Sequence, residues 1–304
     1  MLVLEQILNG LQLGVMLFLM SAGLTLVFGI MGVINLAHGS FYMIGAYVAA
    51  TVATRSGSFM LGLPAALIAA ALSGMVVELL ILRRLYHRDH LDQVLATFGL
   101  IFFFNELTRI IWGRQPLFMD VPAWLSGSVR LLPGIHYPVY RLAIILVGIL
   151  VALFLYLLFS RTRLGMQIRA GAVDREMVGA LGVNIRLLYT LVFGLGTLLA
   201  GLAGVMAGPI LAVEAGMGES ILILTFVVIV IGGIGSVRGA FIGAILVGLV
   251  DTLARSFLPD FFRLIVASSS AADRMGSSLA SMSVYILMAL ILTFKPAGLF
   301  PVGD

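Results

Sequence analysis

The sequence has 304 residues, of which 61% are hydrophobic and 11% are charged, and its mean hydropathy is +1.15. Most of such a chain cannot face water, so the composition predicts an all-α, polytopic membrane protein and excludes an ordinary soluble enzyme. The net charge of +4 comes from scattered arginines near apolar segments and indicates no nucleic-acid surface. The absence of cysteine excludes disulfides, thiol catalysis and thiolate metal sites.

The two longest polar interruptions lie at 113–138 and 161–186. Each has about 26 residues, fewer than the roughly 50 of a small globular domain. The sequence therefore predicts a single transmembrane domain over residues 1–304.

The first long apolar segment contains a polar break. No charged side chain occurs between Glu5 and Arg55, and one helix of that length would measure about 74 Å, against roughly 30 Å of bilayer hydrocarbon. Two spans must therefore be joined near residues 35–40, where the chain reads Asn35-Leu36-Ala37-His38-Gly39-Ser40. The polar residues Asn35, His38 and Ser40, together with Gly39, either line a solute path or satisfy the freed backbone of the broken helix.

Apolar runs along the rest of the chain predict eight or nine crossings. The runs are 8–31, 37–54, 61–82, 93–112, 139–160, 187–207, 219–236, 238–257 and 278–294. The number depends on 208–236, where Gly208-Pro209, Glu214 and Glu219 interrupt the pattern and a re-entrant segment is the alternative to a crossing. For the two acids, a solvated loop position competes with contact to an amino-acid ammonium or to an arginine of a binding protein.

Arginine placement predicts the orientation of the chain in the membrane. Arg83, Arg84 and Arg88 follow the third run, and further arginines crowd 161–186. Both clusters face the cytoplasm under the positive-inside rule, which places the N-terminus outside.

The 161–186 loop carries the signals of a short helix. Asp174 suits the N-cap, Glu176 falls in the first turn, and Gly182 suits a left-handed stop after Leu181. Met177 then shares a small apolar face with Val178 and Leu181. The pattern predicts a cytoplasmic helix that inserts into a groove on a partner protein, with a helix lying on anionic lipid as the alternative.

Several motifs of catalysis and metal binding do not occur. The chain contains no G-x-x-x-x-G-K-[ST] sequence, so it does not hydrolyse ATP by a P-loop mechanism. His87, Asp89, His90 and Asp92 are close in sequence, but neighbouring arginines indicate a solvated charged turn. We therefore expect no catalytic residues, no metal and no cofactor bound by this chain.

Six stretches in one order resemble the permease subunits of high-affinity branched-chain amino acid ABC transporters, specifically the H-type subunit of the Liv system. The stretches are 23–29, 34–39, 162–165 with 174–177 and 181–184, 201–205, 232–236 with 239–240, and 294–299. The resemblance implies an ABC importer permease fold and a multi-pass protein of the bacterial inner membrane.

The resemblance also implies partners: a second permease subunit, two cytosolic P-loop ATPase subunits that use the ATP, and an external solute-binding protein. It assigns 161–186 to ATPase docking, with Arg163, Gly165, Asp174, Glu176, Met177, Leu181 and Gly182 as the docking residues. The expected solute is leucine, isoleucine, valine or another hydrophobic amino acid. Urea or a short amide is an alternative solute, and a stand-alone secondary transporter or channel is the alternative class of protein.

Overall fold

The computed structural model describes residues 2–86, 88–132, 135–266 and 268–301. The first half of the chain contains α1 (Leu2–Met31), α2 (His38–Ser56), α3 (Phe59–Val77), α4 (Arg83–Leu85) and α5 (His90–Trp112), and a π-helical turn, Glu78–Leu82, joins α3 to α4. A short antiparallel hairpin follows, formed by β1 (Ser128–Leu132) and β2 (Ile135–Pro138). The second half contains α6 (Val139–Arg161), α7 (Arg163–Val173), α8 (Arg175–Ala180), α9 (Ile185–Ala207), α10 (Met217–Gly232), α11 (Val237–Ile265) and α12 (Ser269–Phe294).

The helices confirm the predicted all-α, polytopic membrane protein. Within the described residues, 7 helices are long and apolar enough to cross a membrane, and α10 is a shorter apolar helix of 16 residues. The number is close to the predicted eight or nine. The predicted break is present as well: α1 ends at Met31 and α2 begins at His38.

The boundaries differ most at the end of the chain. The apolar runs ended at 257 and resumed at 278, but α11 continues to Ile265 and α12 already begins at Ser269. These extensions carry polar residues, and ion pairs join Arg263 to Asp260 and to Asp273. Hydropathy detects only apolar residues, so it misses the polar end of a helix that such ion pairs stabilise. The predicted spans were therefore shorter than the helices here.

The chain folds as two compact units, with boundaries inside α1, α6 and α10 and between residues 122 and 123. The first unit comprises residues 1–18, 123–149 and 225–304. In it, Gly10 and Gly14 of α1 lie against the backbone of α11 near Leu249 and Ala244. The absence of side chains on these glycines lets the two helices approach closely.

The second unit comprises residues 19–122 and 150–224 and contains the candidate site. Its centre is α9, against which α2 and α3 pack. Gly45 of α2 lies on Gly201, and Gly74 of α3 lies on the side chain of Thr197. We call the end of this unit where α9 begins the inner end, because arginine placement predicts that it faces the cytoplasm.

A recess where two helices begin

The chain between α1 and α2 is held by a buried asparagine. Asn35 is fully buried, and its Oδ1 accepts a hydrogen bond of 3.1 Å from the backbone N–H of Ala37, just before α2. This is the local bonding that short amide side chains offer to a turn at a helix start. Asn35 therefore accepts a hydrogen bond from one of the backbone N–H groups that lack a helical partner at the break.

The start of α2 lies about halfway along α9. A Cβ on Gly23 of α1 would lie 3.0 Å from Nε2 of His38, and it would also overlap the carbonyl of Gly196. Gly196 is close to the midpoint of α9, a helix of 23 residues. Because α9 is one of the candidate membrane spans, α2 begins within the depth of the membrane, not at its surface.

A second helix begins at the same place. Gly218, in the first turn of α10, lies directly against Gly39 in the first turn of α2, and a Cβ on either residue would overlap the backbone of the other. Only glycine permits two backbones to approach this closely. The positive ends of two helix dipoles therefore meet inside the unit.

A recess lies beside this junction and has a mixed lining. Its apolar residues are Leu36, Met43, Ile101 and Leu222, and its polar side chains are Ser40, Asn105 and Glu219. Its cavity volume is about 10 Å³. A volume of that size accommodates about one water molecule, so a larger solute requires the recess to widen.

The polar side chains of the recess come from different helices. Nδ2 of Asn105, in the second half of α5, donates a hydrogen bond of 2.6 Å to Oε1 of Glu219. Glu219 is exposed, whereas Ser40 beside it is buried. An amide, a carboxylate and a hydroxyl thus meet an apolar surface within one small space.

The structure separates the four residues that the break suggested as a solute path. Gly39 and Ser40 line the recess. His38, the first residue of α2, is fully buried and does not line the recess. Within the described residues neither of its ring nitrogens has a well-formed hydrogen bond. Asn35 is also fully buried and stabilises the turn before α2. A role in the solute path remains a prediction for all four.

Sequence reasoning did not select Asn105. For Glu219 it left open a solvated loop position or contact to an amino-acid ammonium or to an arginine of a binding protein. The structure brings both to the recess. The available signal for Asn105 was a polar amide within an apolar run. Glu219 could not be placed from the sequence, because its position depends on the contact between Gly218 and Gly39.

The predicted docking segment has the expected local structure. Asp174 is the N-cap of α8, and its Oδ1 accepts from the backbone N–H groups of Glu176 and Met177 at 3.0 and 2.9 Å. Leu181 is the C-cap, and Gly182 follows with φ of +87°. The local helix prediction is therefore confirmed, whereas the docking role stays a prediction.

The surface of this segment is partly apolar. Val178 is buried, while Val173, Met177 and Leu181 are exposed. Arg163 is exposed at the start of α7. At Gly165 a Cβ would overlap the carbonyl of Leu158 at the end of α6. Glycine is required there because α7 approaches α6 closely.

Comparisons with known proteins identify the family. The family model described as "Branched-chain amino acid transport system / permease component" matches residues 6–294. The chain belongs to this family.

Individual relatives agree with this assignment. The high-affinity branched-chain amino acid transport system permease protein BraD of Pseudomonas aeruginosa is 30% identical, over 97% of this chain and 95% of its own. LivH of Escherichia coli K12, with the same description, is 27% identical over 97% and 94%. The ribose import permease protein RbsC of Escherichia coli K12 is 25% identical over 77% and 72%. No solved structure matches the chain.

Membership of the branched-chain amino acid permease family confirms the resemblance to the Liv H-type subunit. Together with the 7 long apolar helices found within the described residues, it makes the chain a multi-pass inner-membrane protein. Members of this family are transport permeases and not themselves enzymes. The expectations of no metal and no cofactor stay predictions, and His87 of the charged turn lies outside the described residues.

Proposed function

We propose that this permease is the membrane subunit of an ATP-driven importer of branched-chain or other hydrophobic amino acids. It forms the translocation path with a second permease subunit. Two cytosolic P-loop ATPase subunits supply the ATP hydrolysis, because the chain has no phosphate-binding loop of its own. An external binding protein delivers the solute.

The observation that carries the coupling part of this proposal is the segment formed by α7 and α8. The segment is short and rigidly capped at both ends of α8, yet Val173, Met177 and Leu181 remain exposed. An amphipathic helix that inserts into a groove on another protein has these properties. A lipid-surface helix shares some of them, but membership of a transport-system family favours a protein partner.

The recess supports the choice of solute class. Its apolar residues Leu36, Met43, Ile101 and Leu222 suit an aliphatic side chain, and its polar groups are few and convergent. In the proposed cycle, closure of the ATPase subunits displaces α7 and α8. The helices around the junction of α2 and α10 then shift, which widens the recess and changes the side to which it opens.

Co-purification tests this assembly. The chain is tagged and extracted gently from its native membranes, the proteins bound to it are identified by mass spectrometry, and their ATPase activity is measured. A second permease and P-loop ATPases are expected, together with leucine uptake after reconstitution with the binding protein. An ATPase-free homo-oligomer that transports solute alone would contradict the proposal and favour a secondary transporter or channel.

A further inference from the structure

Glu219 is a carboxylate at membrane depth. Gly218, its neighbour, lies on Gly39 at the start of α2, and α2 itself begins beside the midpoint of α9. The donor to Glu219, Asn105, lies in the second half of α5, which is also a candidate membrane span. Glu219 therefore does not lie in a solvated loop, although the sequence allowed that position.

The carboxylate has no cationic partner among the described residues. The ion pairs found there join Arg83 to Glu78, Arg109 to Glu106, Arg255 to Asp251, and Arg263 to Asp260 and Asp273. Glu219 lies in the first turn of α10, near the positive end of the helix dipole. An exposed carboxylate at this depth is not compatible with lipid, so it faces a water-filled path or a cationic group.

The surroundings of Glu219 are chemically specific. Asn105 donates to Oε1 and fixes the carboxylate over the recess. Most of the other side chains that line the recess are apolar, among them Leu36, Met43 and Leu222. An anion beside an apolar surface complements a molecule that carries a positive group next to an aliphatic chain.

We propose that Glu219, oriented by Asn105, binds the α-ammonium group of the transported amino acid, while the apolar lining contacts its aliphatic side chain. This inference rests on the proposed function. It makes Glu219 a specificity-determining residue of the permease that selects amino acids over solutes of similar shape without a positive charge. Asn105 is a positioning residue, because it acts through the carboxylate.

Binding to the assembled complex tests the inference. Radiolabelled leucine is titrated onto the detergent-purified complex of permeases and ATPases, without the external binding protein. Glu219→Gln keeps the size of the side chain and an acceptor for Asn105 but removes the charge. We expect it to weaken leucine binding by about tenfold or more, which corresponds to about 1.4 kcal/mol or more. Glu219→Asp retains the charge and is expected to recover part of the affinity.

The matched control is Glu214→Gln, a neighbouring acid that lies beside Arg109 and Arg114 and outside the recess. It is expected to bind leucine as the unchanged complex does. Equal leucine affinity of Glu219→Gln and the unchanged complex would overturn the inference and leave the proposed function intact. A co-purified complex that binds and transports no amino acid would overturn both.

Competition on the unchanged complex provides a second measurement, which stands even if Glu219→Gln fails to assemble. 3-Methylbutylamine keeps the ammonium and the branched chain of leucine, whereas 3-methyl-1-butanol replaces the ammonium by a neutral hydroxyl, and both lack the carboxylate. We expect the amine to displace leucine at lower concentration than the alcohol, and the reverse order would overturn the inference. If the Glu219→Gln complex dissociates, the same competition is measured on the separated permease variant, and an unchanged preference for the amine would also overturn the inference.

Discussion

At the residue scale, the site depends on two glycines that allow two helices to begin side by side. Gly39 and Gly218 touch through their backbones, and this contact positions Ser40 on one helix and Glu219 on the other. Neither glycine has the positive φ of a turn residue. Glycine is therefore required at both positions because a side chain would not fit, and not because of the backbone conformation.

Gly39→Ala is expected to destabilise the permease because the new methyl group would overlap the carbonyl of Gly218. The free energy of unfolding should fall by about 1–3 kcal/mol, as for other overpacked positions, and leucine uptake should fall with it. The thermal unfolding midpoint of the purified complex measures the effect. Gly99→Ala is the control, since a Cβ at that helical position meets nothing within 4 Å. Equal midpoints for the two variants would contradict the packing argument.

At the scale of elements, the inner ends of α3 and α9 are joined by a buried carboxylate. The side chain of Glu78 is fully buried at the start of the π-helical turn. It accepts from Nε and Nη2 of Arg83 at 3.2 and 3.1 Å, from the hydroxyl of Tyr86 at 2.6 Å, and from that of Thr190 at 2.7 Å. Burial and the hydrogen bond to Glu78 raise the pKa of the Tyr86 hydroxyl, so it remains a donor at neutral pH.

This network lies beside the docking segment. A cavity of about 510 Å³ is lined by Arg83 and Tyr86 of the network and by Arg175 of α8. Residues of α9, among them Arg186 and Tyr189, complete the lining. Residues of α8 and α9 therefore border the same cavity as Arg83 and Tyr86 of the network.

Thr190→Val tests the network, because valine has the shape of threonine without its hydroxyl. Glu78 loses one donor, and loss of a hydrogen bond to a buried charged group costs about 1–3 kcal/mol. We expect a lower unfolding midpoint for the purified complex. Thr293→Val is the matched control, since the Thr293 hydroxyl is exposed and bonds to the carbonyl of Ala289 in its own helix. If the unfolding midpoint of Thr190→Val falls no more than that of Thr293→Val, the hydrogen bond from Thr190 to Glu78 contributes little to stability.

Two variants of α8 test the docking segment. Gly182→Val places a β-branched residue at φ of +87°, which strains the stop of α8, and Glu176→Lys places a positive charge at the positive end of the helix. We expect each to lower ATP-driven leucine uptake by about tenfold, or about 1.4 kcal/mol of coupling, while the chain remains in the membrane. Gly179→Ala, at an exposed position of α8 without positive φ, should transport normally. Unaltered uptake in both variants would show that the docking assignment is wrong.

At the scale of the whole molecule, the prediction concerns the direction in which the chain crosses the membrane. Arginine clusters predict that α7 and α8 face the cytoplasm. In the second unit, α2 begins halfway along α9 and ends beside the first turn of α3, where Gly62 lies on Ala49. The end of α2 therefore faces the outside. The prediction that residues 1–304 act as one permease domain is separate and stays a prediction.

The natural absence of cysteine makes the orientation directly measurable. Ser56→Cys, at the end of α2, should react with a membrane-impermeant maleimide in intact cells. Asp89→Cys, at an exposed position just before α5, should react only after permeabilisation. Ala200→Cys, at a fully buried position, should remain unlabelled in both conditions. Labelling of Asp89→Cys alone in intact cells would reverse the orientation.

Much of the architecture follows from the order of residues alone. Apolar runs predicted the class of the protein, most spans and the break after α1, because a helix in lipid must satisfy its backbone internally and needs about 20 apolar residues. Local signals also predicted α8, since Asp174 and Gly182 act on backbone groups within a few residues. These features depend on interactions between neighbours in sequence.

The composition of the recess was decided only by tertiary structure. Asn105 and Glu219 are 114 residues apart, and their meeting requires α2, α5 and α10 to pack at one level. The same packing buries Asn35 and His38 away from the recess, although all the residues of the break looked equivalent in the sequence. A hydropathy pattern records how apolar a segment is. It does not record which face of a helix meets which neighbour, and in this protein that contact determines whether a polar group supports the backbone or lines the recess.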